Sequence, residues 1–90
     1  MKPIRWTPHA QIKVAKREID KVEVELTIRQ PDSIISAQPP RQFYQRRYLD
    51  KALNAEMLLR VVVEETDSKL TIVTVYKSSK FEKYERGKSA

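Results

Sequence analysis

From Met57 to Glu65 apolar side chains stand at nearly every position. In an extended chain Leu59, Val61 and Val63 point one way, and Leu58, Arg60, Val62 and Glu64 the other. A strand that is apolar on most of both faces belongs near the centre of a sheet. Leu70 to Ser78, dense in β-branched residues, predicts its partner. The connection Thr66-Asp67-Ser68-Lys69 is short enough to require antiparallel pairing. Two further strands are predicted upstream, from Ser33 to Ala37 and from Phe43 to Leu49. Gln38-Pro39-Pro40-Arg41 lies between them as a loop, because two prolines cannot serve a ladder. Asp50 to Glu56 is a connection, with a helical turn around Lys51-Ala52-Leu53.

The N-terminal third follows a different period. Thr7 caps a helix with Pro8 at its first position, and Ala10 and Val14 form its apolar stripe, so a helix is predicted from about Pro8 to Arg17. The next segment sets two rules against each other. Lys21 to Arg29 alternates apolar and polar strictly, which reads as a half-buried strand. Asp20 followed by Glu23 resembles a capping box, Pro31 closes the segment, and Val24 and Ile28 lie one helical turn apart, which reads as a helix. The tail from Ser79 is charged, carries Phe81 and Tyr84, and is expected to fray by Gly87.

Composition bounds these elements to one domain spanning 1–90, with its core at about 7–84 and a frayed tail over 85–90. The chain has 90 residues and no cysteine, so disulfides and thiolate zinc sites are excluded. No apolar run approaches the roughly 18 residues of a membrane span, and the N-terminus lacks an apolar signal core, so a cytoplasmic protein is expected. Lys and Arg number 18 against 12 Asp and Glu, a formal charge of +6 that suits a polyanionic partner and equally suits ordinary solubility. The single glycine, Gly87, rules out glycine-rich phosphate loops, and no nucleotide or other cofactor is expected. One histidine and scattered carboxylates show no metal-ligand spacing.

Three groups of residues could carry chemistry. His9 is the one side chain that titrates near neutrality when unperturbed, and it suits a general base in phosphodiester cleavage; it reads as well as a polar residue in a first helical turn. Arg46 and Arg47 lie between Tyr44 and Tyr48, a mixture suited to stacking bases and contacting phosphate, or to a solvated edge strand. The two arginines must face opposite ways. Arg60 interrupts the most apolar strand and needs either an internal partner such as Glu25 or an external anion. Tyr76 and Lys77, followed by Lys80, close the last strand; whether Tyr76 shares a face with Arg60 turns on a register that a one-residue slip would reverse.

His9-Ala10, Arg17-Glu18-Ile19, Val24, Ile28 and Pro31-Asp32 resemble the opening of a family of small proteins of unknown function. Arg47-Tyr48, the Leu59 to Val63 run, Val73 to Lys77, Lys80 and Tyr84 resemble its later elements, so the likeness covers about Thr7 to Tyr84. That family looks like a branch of the RelE-type toxin superfamily, which shares its fold with barnase, EndoU and colicin ribonucleases. The resemblance decides the ambiguous segment as a second helix, about Lys21 to Gln30. It implies an α+β fold with two N-terminal helices packed on a four-stranded antiparallel sheet. It further implies metal-independent RNA cleavage and a small antitoxin-like protein partner. His9, Arg60 and Tyr76 are then the candidate catalytic residues, and Arg17, Arg46, Arg47, Lys77 and Lys80 the candidate nucleic-acid contacts. The alternative is a non-catalytic module that binds nucleic acid or a protein. Glu18 departs from the pattern, since a glycine is usual between the Arg and the Ile, and the first helix is expected to end differently here.

Overall fold

The structure, a computed structural model, describes residues 2–85. Its elements run β1 (Ile4–Trp6), α1 (Pro8–Lys16), α2 (Lys21–Arg29), β2 (Ser33–Ser36), β3 (Arg41–Asp50), β4 (Ala55–Glu65), β5 (Leu70–Ser78) and α3 (Phe81–Glu85). The expected α+β layering is present, with α1 packed on β5 and α2 on β3 and β4. Two details differ from the expectation. The sheet has five strands in the order β1-β5-β4-β3-β2, and β1 pairs parallel with β5. A third helix, α3, forms in the charged segment after Ser79, where no element is expected; the expected fraying by Gly87 falls at 86–90, outside the described residues.

Local chemistry explains the helix ends. The Thr7 hydroxyl accepts from the Ala10 N–H and donates to the Ile72 carbonyl, so one side chain caps α1 and ties it to β5. Asp20 caps α2 through the Val22 N–H, but Glu23 pairs with Arg46 instead of closing the capping box. Alternation loses to helical packing in α2: Val24 and Ile28 are buried, while Val22 is left 71% exposed. Glu18 takes the left-handed conformation at φ 54°, and the Ile19 and Glu18 N–H groups return to Val14 and Ala15. The helix therefore ends as a glycine would end it, against the expectation of a different ending.

One face of the sheet builds the core. Tyr44, Tyr48, Met57, Leu59, Val61, Val63, Ile72 and Val75 meet Ala10, Val14, Val24 and Ile28. β1 is short because only Ile4 and Trp6 reach this cluster, while Arg5 points out to solvent. The ladder between β4 and β5 shifts register between Val62 and Val63. Near the turn Val63 pairs with Ile72, but beyond the shift Val62 pairs with Thr74 and Arg60 with Tyr76. This bulge adds one residue to β5 and reverses the facing of everything after it.

Candidate functional site

The second face of the sheet carries a polar line. Arg60 pairs with Gln45 on β3 and with Tyr76 on β5, and Gln45 pairs with Ser33 on β2. Side chains follow the backbone register. The Arg60 guanidinium donates to the Tyr76 hydroxyl and, at 2.5 Å, to the Gln45 carbonyl oxygen; the Gln45 amide nitrogen donates to the Ser33 hydroxyl at 3.1 Å. The bulge makes this line: without it Tyr76 would face the helices.

Arg60 is only 6% exposed, yet no carboxylate pairs with it among the described residues. Glu25, the internal partner considered for it, accepts from the Trp6 indole N–H instead. Aromatic faces surround the charge, with Phe43 at 4.3 Å, Tyr84 at 4.0 Å and Tyr76 at 5.4 Å from the guanidinium carbon. A guanidinium tolerates such surroundings because it is weakly hydrated and attracted to ring faces. Neutral acceptors and rings do not cancel its formal charge. Burial pushes the Tyr76 phenol above its ordinary pKa, against the opposing charges of Arg60 and Arg17, so the phenol holds its proton at neutral pH.

α3 lies over this face. Tyr84 stacks on Arg60, and its carbonyl accepts from Gln45 at 3.3 Å. Phe81 sits 4.2 Å from the Arg47 guanidinium. Glu85 forks onto Arg47, each carboxylate oxygen taking one N–H at 2.7 Å. That bond holds the Arg47 pKa above its usual value and the Glu85 carboxyl below its own. The sheet face opposite α1 and α2 is thus partly covered by the chain itself.

The predicted site residues separate into groups. Arg60 and Tyr76 meet directly, and Arg47 and Lys80 line the adjoining hollow beside α3. Arg17 borders the site, donating to the Val75 carbonyl at 2.7 Å beyond the end of β1. Arg46 and Lys77 point to the helical side. Arg46 binds Glu23 and the Thr27 hydroxyl, and Lys77 lies 2.7 Å from Asp50. His9 is exposed in the first turn of α1, in the helical layer, and the structure does not bring it to Arg60. Sequence reasoning missed Gln45 and Phe43, whose part depends on cross-strand register, and gave Tyr84 and Glu85 no role at the site. One signal was present in β5, where the apolar phase shifts between Ile72 and Val73 and so betrays the bulge.

Asp50 anchors the helical side. It is buried and accepts from Lys77, from the Tyr48 hydroxyl at 2.5 Å and from the Leu53 N–H at 2.9 Å. Burial alone would raise its carboxyl, but these donors outweigh burial and hold it at about 2. No cluster of three or more metal-ligating side chains occurs among the described residues. No helix among them is long and apolar enough to cross a membrane.

Fold and site together define a small basic α+β protein with α1 and α2 on one sheet face and an arginine-centred polar line, partly covered by α3, on the other. Residues 6–77 match the model of a family described as a domain of unknown function, DUF4258, and the chain belongs to that family. No curated protein and no solved structure matches it.

Proposed function

We propose that the sheet face around Arg60 binds RNA. The observation that carries this reading is a buried guanidinium with neutral acceptors, aromatic walls and no carboxylate. Such a group attracts a phosphate, and rings beside it offer stacking surface to an unpaired base. Arg47 and Lys80 extend the positive surface, and the +6 charge of the chain favours encounter with a polyanion. Single-stranded RNA fits better than duplex, since the rings can stack only on bases that are free.

Cleavage of the bound RNA, as the RelE-type resemblance implies, is the second reading, and Tyr76 favours it. A phenol that keeps its proton beside a guanidinium could protonate the leaving 5′-oxygen as the RNA's own 2′-oxygen attacks phosphorus and passes its proton to water, while Arg60 stabilises the charged phosphorane-like state. His9 has no part in this arrangement, because it lies in the helical layer. The test is fluorescence anisotropy of a labelled single-stranded 12-nucleotide RNA against the purified chain over a salt series, with the RNA recovered on a gel. Binding that weakens steeply with salt supports the reading. Fragments that persist with His9→Ala and vanish with Tyr76→Phe add cleavage, and intact RNA leaves a binding module. Salt-insensitive binding, or none, contradicts the RNA reading.

A further inference from the structure

We propose that α3 is a built-in strap that occupies the RNA site in place of RNA, with Glu85 standing for a phosphate and Tyr84 for a base. The proposal rests on the RNA reading of the Arg60 face and concerns its regulation.

The contacts of α3 are those a nucleotide would make. Glu85 presents two oxygens to two N–H groups of Arg47, the fork geometry by which arginine takes a phosphate. Tyr84 lays its ring 4.0 Å from the Arg60 guanidinium and edge-on to Tyr76, with ring centroids 6.4 Å apart. Its carbonyl meets the Gln45 amide nitrogen. A phosphate mimic and a base mimic thus stand on adjacent residues, over adjacent cations.

The strap is built to leave. Five residues are too few for a helix to persist by itself, and no residue of α3 is buried. It is therefore held in place by what it touches. The Arg47–Glu85 pair is partly exposed, with side chains 43% and 29% accessible, and such pairs are weak and screened by salt. A single strand of RNA offers several phosphates and bases against one of each, so it displaces the strap at modest cost.

The experiment uses the full chain and the same labelled single-stranded 12-nucleotide RNA. Glu85→Gln is expected to bind about threefold to fivefold more tightly than the parent, because the competitor for Arg47 is weakened. Asp67→Asn removes a negative charge at the distant β4–β5 turn and is expected to change affinity less than twofold, which separates competition from net charge. The chain lacks cysteine, so Lys83→Cys accepts a single spin label on α3. Its spectrum is expected to sharpen when RNA is added. RNA that binds with no gain from Glu85→Gln and an unchanged spectrum overturns the strap and leaves the RNA reading standing. Absence of binding by every variant overturns the RNA reading, and the strap with it.

Discussion

The Arg60 guanidinium and the Tyr76 hydroxyl meet across β4 and β5 because a bulge between Val62 and Val63 slips the ladder by one residue. The phenol is one of two neutral acceptors on a buried charge. Tyr76→Phe therefore keeps the ring and removes an acceptor, and is expected to lower stability by about 1–2 kcal/mol in urea denaturation. The m-value should not change, since the surface exposed on unfolding is the same.

On the helical side the Lys77–Asp50 pair is buried. Replacing one partner leaves the other charge uncompensated, so Lys77→Met is expected to cost about 3 kcal/mol. Asp50 also sets a pH dependence. Its folded pKa lies below its unfolded value, so its contribution is fully present above the unfolded pKa near 4 and is lost as pH falls toward about 2. At most about 2.5 kcal/mol is linked to this one group. Urea midpoints measured from pH 6 to pH 2 should fall mainly below pH 4, and the fall should be shallower in Asp50→Asn.

Glu18 stands in the left-handed region at the end of α1, where a side chain costs energy and glycine does not. Glu18→Gly is expected to stabilise the chain by about 0.5–1 kcal/mol, after the greater freedom of glycine in the unfolded state is subtracted. A rise in the thermal midpoint would show it. The Glu18 carbonyl lies 3.4 Å from the Lys77 ammonium, so the substitution should leave that contact in place.

Much of this fold was legible in the chain. The β4 and β5 runs, the double-proline loop and the Thr7 cap each follow from a local rule, and the structure shows each of them. β1 was not legible, because three residues beside a proline carry no measurable period and gain their place only by pairing with β5. α3 was not legible either, because it exists through contacts with Arg47 and Arg60 that are distant in sequence. At the site, Arg60 stood out as a charge in an apolar strand. Gln45 did not, because a glutamine in a strand acquires meaning only from what faces it across the ladder. The Arg46-Arg47 pair divided as strand geometry requires, but which of the two faced the helices depended on the packing of α2 against β3.

Arg60 is proposed as the anion-binding centre of the sheet face opposite α1 and α2. The most direct measurement compares RNA affinity for the parent, Arg60→Gln and Arg5→Gln, each checked for native circular dichroism. Arg5 lies exposed on β1 and carries the same charge, so the pair of variants separates position from net charge. Arg60→Gln is predicted to weaken binding by about tenfold and to lower the salt slope by about 1, while Arg5→Gln stays within about twofold of the parent. Equal losses in the two variants, or no loss at Arg60, would contradict the account.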